Sequence, residues 1–168
     1  MGSCPGDGVR KNACMRVTAK VDYAVRAATM LATESIENPG PVKGDRIATT
    51  QAIPVKYLEN ILSELRQAGI IRSQRGAEGG YWLARPADEI TVADIIRAVE
   101  GPLAHVRGER AENLEYPPGT GALQELWVAV RASLRAVLEH ATLADVAADR
   151  LPRELKKLAA DPDAWLPR

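Results

Sequence analysis

From Val21 onward, apolar residues recur at spacings of three and four. Val21, Ala24, Val25, Ala28, Leu31 and Ala32 fall on one face of a helix that Thr18 can cap. Asn38-Pro39-Gly40-Pro41 stops that pattern. A shorter helix is predicted over Lys43 to Thr50, with Ile47 and Ala48 inward, and Gln51-Ala52-Ile53 makes a turn. Pro54 suits the first residue of the next helix, where its missing N–H costs nothing. That helix runs to about Ala68, buries Leu58, Ile61, Leu62 and Leu65, and stops at Gly69. Two helices of two and four turns joined this tightly match a helix-turn-helix.

The period changes after Gly69. Ile70 to Gln74 and Tyr81 to Ala84 read as two short strands around the turn Gly76-Ala77-Glu78-Gly79-Gly80, closed by Arg85-Pro86: a hairpin with the shape of a wing. Thr91 caps a further helix to about Glu100, with Asp94 as its capping-box partner and Ile95, Ile96 and Val99 inward, and Gly101-Pro102 ends it. Leu103 to Gly121 has no period and is expected to be a loop. The longest helix follows, from about Ala122 to His140. Leu123, Leu126, Trp127, Val130, Leu134, Val137 and Leu138 lie along one stripe, more apolar surface than a small domain needs from one helix, and a second copy of the helix is the expected cover. Thr142 to Val146 reads as a short helix, and Arg153 to Ala160 as another in the tail.

This pattern divides the chain into a disordered leader (1–14), a winged helix-turn-helix domain (15–101), a sensor-type loop (102–121), a dimerisation region (122–148) and a tail (149–168). The expected fold class is mostly α, with a small β-hairpin wing and a long C-terminal dimerisation helix. Composition agrees: Phe is absent and aromatics are 4% of 168 residues, so the core is built from Ala, Leu, Val and Ile. No run of 18 apolar residues and no secretory h-region occurs, which points to a cytoplasmic protein without a membrane partner. Both cysteines, Cys4 and Cys14, fall in the leader, and two thiols cannot build a disulfide framework or a four-cysteine metal site. They read as incidental.

Net charge is zero, yet its distribution is uneven. Met15 to Pro86 holds ten Lys/Arg against seven acids (+3), and Ala87 onward ten against fourteen (−4), so a polyanion would meet the front half. Enzyme signatures are missing: there is no Gly-x-Ser-x-Gly, no P-loop and no His-Glu-x-x-His, and the glycines of the wing do not open a helix. DNA recognition needs polar residues on the first turns of a helix that enters the major groove, and Lys56, Tyr57, Glu59 and Asn60 hold those places. Arg75 with Gly76 at the wing tip, and Arg72 and Ser73 at its base, add candidate minor-groove or phosphate contacts.

Several segments taken together resemble the Rrf2 family of bacterial winged-helix regulators. They are Met15 to Lys20 with Tyr23-Ala24-Val25, Ile53 to Leu62, Leu65 to Gly69, Arg75 to Tyr81, Glu89-Ile90-Thr91 and Ala98 to Gly101. The resemblance implies a homodimer, usually a repressor, on a pseudo-palindromic double-stranded DNA operator. Pro54, Lys56, Glu59 and Asn60 would be recognition-helix contacts, Arg75 the wing contact and the helix from Ala122 the dimerisation helix. The wing tip departs from the family's common Gly-Pro-Gly-Gly-Gly, and its Glu78 places negative charge near phosphate.

The loop departs further. Cluster-binding members carry three cysteines there, because thiolates hold an iron–sulphur cluster. Between Gly101 and Gly121 this chain has none, and His105, Glu109, Glu112 and Glu115 make a poor substitute. The resemblance therefore narrows to a cluster-free branch with no cofactor or metal, sensing a small molecule or a metabolic-enzyme partner. Sulphur or cysteine metabolism is the first guess for its regulon. Tyr116, Trp127 and Arg131 are the tentative lining of an effector pocket, although packing is the commoner job for Trp127. The alternative is a protein-interaction module that binds a metabolic enzyme through its long helix, with DNA contact secondary.

Overall fold

The computed structural model describes residues 17–166, so the leader, Cys4 and Cys14 lie outside the described residues. Helix α1 (Ala19–Glu37) starts where the Thr18 hydroxyl accepts from the Val21 N–H at 3.2 Å. It is the central element, with Ala24, Ala27, Ala28 and Ala32 fully buried, so neighbouring helices approach it closely. Against it pack α2 (Gly44–Gln51), α3 (Val55–Gln67) and α4 (Val92–Glu100). Leu31, Ile47, Leu58, Ile61, Leu62, Leu65, Ile71, Ile90, Ile95 and Leu143 are the largest fully buried side chains. Each is worth about 1.5–3 kcal/mol of burial. The α4 start carries the expected capping box between Thr91 and Asp94.

Strands β1 (Ile71–Gln74) and β2 (Gly80–Leu83) pair antiparallel, with Arg72 opposite Trp82 and Ser73 opposite Tyr81. Val42, just before α2, adds a bridge on the outer side of β2 through N–H···O bonds of 2.8 and 2.9 Å with Tyr81. The outer edge of β2 is thus fastened to the helical unit.

Two expectations need correction. Pro54 is not the first helical residue: its ψ of 127° is extended, and it stands as the N-cap with its carbonyl accepting from Tyr57 and Leu58. The cause is the preceding turn, where Ala52 takes a left-handed conformation and Ile53, bonded to the Ala48 carbonyl, dives into the core. The segment after α4 is not simply a loop. It forms a two-residue-turn hairpin, β3 (His105–Val106) with β4 (Glu109–Arg110), then a 3-10 turn at Ala111–Asn113. Arg107 and Gly108 both have positive φ, as such a turn demands. Strands of two residues are too short to leave a period in the sequence.

The long helix α5 (Ala122–Leu138) buries none of its residues. After it the chain returns to the front unit. Helix α6 (Leu143–Ala147), capped by a Thr142–Asp145 box, inserts Leu143 into the core beneath α1. The Val92 N–H donates to the Ala141 carbonyl and the Leu143 N–H to that of Ile90, so the starts of α4 and α6 lie side by side. Helix α7 (Arg153–Ala159) and a 3-10 turn at Pro162–Trp165 complete the described chain. No helix among the described residues is long and apolar enough to cross a membrane.

Candidate nucleic-acid interface

The four buried residues of α3 set which side of it remains in view. With Leu58, Ile61, Leu62 and Leu65 inward, Lys56, Tyr57, Glu59 and Asn60 are exposed, as is Pro54 at the entry. Tyr57 is held in place by the edge-to-face contact of its ring with Tyr23, at 5.8 Å and 85°. The Arg26 guanidinium covers Tyr23 at 5.6 Å from the ring centre. Lys20 ties the base of this layer together, with Nζ 2.8 Å from the Glu64 carboxylate on α3 and 2.7 Å from the Val99 carbonyl on α4.

The wing tip is shaped by its glycines. Gly76 has φ +107°, and a Cβ on Gly79 would stand 2.3 Å from the Gln74 carbonyl oxygen, so a larger residue there would force the tip open. Arg75, Gly76 and Arg72 are exposed. Ser73 is half-buried and its hydroxyl accepts from Arg66 Nη1 at 3.3 Å, a link from α3 to β1.

The cations around this face differ in whether a carboxylate holds them. Lys20 is taken by Glu64, Arg26 by Asp22 and Gln51, Arg46 by Glu34, and Arg85 by Asp94. Lys43, Lys56, Arg72 and Arg75 make no ion pair among the described residues. Unpaired cations on exposed side chains keep their full field for a polyanion. That Lys43 is left unpaired was not legible in the sequence, because ion pairing is a tertiary property. Glu59 and Glu78 are also unpaired.

A second surface is the apolar stripe of α5. Leu123, Leu126 and Val137 are exposed, Leu126 at 50%, while Trp127, Val130, Leu134 and Leu138 are half-buried. Two ion pairs tie α5 to the rest of the chain: Arg131 with Glu112, and Glu139 at the end of the helix, also bound by Arg135, with Arg97 of α4. Hydrogen bonds from Arg97 and then Arg135 hold the Glu139 carboxyl below the usual carboxylate range. A backbone hydrogen bond, followed by that from Arg131, does the same for Glu112.

The tentative effector residues receive separate partners. Tyr116 stacks under Arg107 at 5.5 Å, Arg131 is paired with Glu112, and Trp127 lies along the α5 stripe.

A profile of the Rrf2 family, described as "Iron-dependent Transcriptional regulator", matches residues 17–149. The chain belongs to the Rrf2 family. It is similar to a protein of Mycobacterium tuberculosis named "Putative HTH-type transcriptional regulator", 49% identical over 88% of this chain and 90% of that protein. It is also similar to the HTH-type transcriptional regulator CymR of Bacillus subtilis, 40% identical over 79% of this chain and 90% of that one. The solved structure of CymR, described as the global cysteine regulator of that organism, superposes with a TM-score of 0.66 at 37% identity, covering 81% of this chain and 98% of that one. T. potens IscR superposes with a TM-score of 0.62 at 33% identity, covering 92% and 93%. The mostly helical winged fold is that of these Rrf2 regulators, and the chain is an HTH transcriptional regulator of the DNA-binding type.

The family profile's description raises the question of iron. The segment from Gly101 to Gly121 has no cysteine. Its remaining donors are dispersed: His105 is half-buried on β3, Glu109 and Glu115 are exposed, and Glu112 is committed to Arg131. Among the described residues no group of three or more His, Cys, Asp or Glu side chains is placed to hold a metal ion. This donor set does not fit an iron–sulphur cluster.

Proposed function

We propose that the chain acts as a homodimer that binds a pseudo-palindromic operator and represses transcription there, without an iron–sulphur cluster. The observation that carries the reading is the set of unpaired cations, Lys56 on α3 and Arg72 and Arg75 on the wing, around exposed Pro54, Tyr57, Glu59 and Asn60. In this reading Lys56 reaches guanine or phosphate, Asn60 pairs with adenine, Glu59 accepts from cytosine and Arg75 enters the minor groove. Gly76 lets the backbone of the wing approach phosphate closely. The stripe Leu123, Leu126, Trp127, Val130, Leu134, Val137 and Leu138, exposed or half-buried, is the surface on which a second α5 packs. The effector is a small molecule or a partner protein, and the likeness to CymR favours genes of sulphur and cysteine metabolism.

The test is to capture fragments of the native genome on the purified protein at near-physiological salt, then repeat with Lys56→Ala and Arg75→Ala. Specific retention that both substitutions release supports the reading, and the neighbouring genes name the pathway. Failure to retain DNA, with no salt dependence, would leave the protein-interaction module as the better account.

A further inference from the structure

The wing is wider than its hairpin. Val42 exchanges both N–H···O bonds with Tyr81, so the order across the sheet at this level is Val42, β2, β1. The pairing is antiparallel, and Lys43 therefore lies one step further toward the wing tip, alongside Gly80. The close approach at Gly80 fits this register. A Cβ there would stand 2.6 Å from the Val42 carbonyl oxygen and 2.8 Å from the Val42 carbonyl carbon, the atom to which Lys43 is bonded. Lys43 is still extended, with φ −68° and ψ 141°. Val42 is buried and Lys43 exposed, the alternation expected of such a chain.

On the other side of β2, Gln74 stands opposite Gly80, and Arg75 follows it into the turn. Neighbouring strands lie about 4.8 Å apart, so the backbones that carry Lys43 and Arg75 are roughly 10 Å apart, on either flank of the tip. Between them β2 reads Gly80-Tyr81-Trp82-Leu83 and contributes no cation. Neither Lys43 nor Arg75 makes an ion pair among the described residues, and the nearby acids Asp45 and Glu78 hold neither of them. The Lys43 side chain makes no capping bond to α2 either. The fold thus fixes the backbone of Lys43 beside the wing tip, through bonds of 2.8 and 2.9 Å at Val42, and leaves its ammonium unused.

A cation on each flank, with a glycine that has no room for a side chain between them, suits a sugar–phosphate chain laid across the tip. We propose that Lys43 is a second wing contact to DNA, holding backbone phosphate on the flank opposite Arg75. The contact comes from the segment before α2, not from α3 or the hairpin, and it adds affinity without sequence preference. It rests on the DNA-binding reading above.

The test measures binding of the full chain to a retained genomic fragment and to a random duplex of the same length, over a range of salt. Lys43→Ala should weaken both by a similar factor, at least threefold at near-physiological salt. It should also lower the slope of log affinity against log salt by about 1 for each subunit bound. Lys43→Arg should restore the slope, and Lys157→Ala, which removes an exposed cation of α7 instead, should leave slope and affinity unchanged. The unfolding midpoint of Lys43→Ala should match that of the parent, because the side chain holds nothing in the fold. An unchanged slope, an equal loss in Lys157→Ala, or a loss confined to the genomic fragment would overturn the phosphate contact. Retention of genomic fragments by the unsubstituted chain judges the operator reading separately. Without it the random duplex at low salt still reads Lys43, and a chain that binds neither duplex overturns both.

Discussion

Helices α1 and α5 are of similar length and both amphipathic, yet α1 buries eight of its 19 residues and α5 none of its 17. The apolar face of α1 is met on all sides by α2, α3, α4, α6 and the wing. That of α5 is only half covered, by the turn at Ala111–Asn113 and by α4, with the ion pairs of Arg131 with Glu112 and of Glu139 with Arg97 among its attachments. A single chain therefore accounts for the front half of the molecule but not for α5. Apolar faces of helices are stabilised by tertiary burial far more than by propensity, so α5 is the element that a second molecule would complete.

The sharpest way to break this contrast is to truncate one residue on each side of it. Leu31→Ala in the core should cost about 2–5 kcal/mol of unfolding free energy in denaturant titrations, whereas Leu126→Ala, read at concentrations too low for assembly, should change it by less than about 0.5 kcal/mol. Equal losses would mean that α5 already has a core of its own. Next in size is the assembly itself. Leu126→Glu puts one charge into each half of a symmetric interface, two in all, and should weaken dimerisation by about 3 kcal/mol or more, seen as a shift to monomer in sedimentation at micromolar concentration. An unchanged mass distribution would send the stripe to some other partner.

Two smaller effects test the ties between the regions. Thr142→Ala removes the cap that aims Leu143 into the core and should cost about 1 kcal/mol, read from the thermal unfolding midpoint. Its box partner Asp145 has a carboxyl held below its usual range, first by the Thr142 hydroxyl and then by the Thr142 N–H. Because the folded value is the depressed one, this contribution is complete above the ordinary carboxylate pKa near ~4 and is lost as pH falls through the lower folded value. Urea midpoints from pH 6 to pH 3 should therefore decline less steeply in Asp145→Asn than in the parent, and parallel declines would refute the linkage. On the DNA side, Lys56→Ala and Arg75→Ala should each reduce the slope of log affinity against log salt by about 1 without moving the unfolding midpoint. A midpoint shift would reveal that these side chains hold the fold.

Much of this was legible from the chain. The three-four spacing of Leu58, Ile61, Leu62 and Leu65 places α3, the box Thr91–Asp94 places the α4 start, and the α5 stripe stands out as surplus. The legibility ended where a neighbour distant in sequence takes part. That Val42 pairs with Tyr81, that Lys43 thereby comes to flank the wing tip, and that Leu143 fills the core under α1 are matters of long-range packing. The hairpin at His105–Arg110 escaped notice for the opposite reason, since it is so short that no periodicity exists to read.

By itself the sequence determined the helices, the helix-turn-helix, the wing and the exposed first turns of α3, because period, caps and breakers are local and act within a few residues of one another. Tertiary structure decided which cations stay unpaired, which apolar faces are covered and which segment flanks the wing. Those outcomes depend on which elements meet in space, and burial and ion pairing take their energies from such meetings.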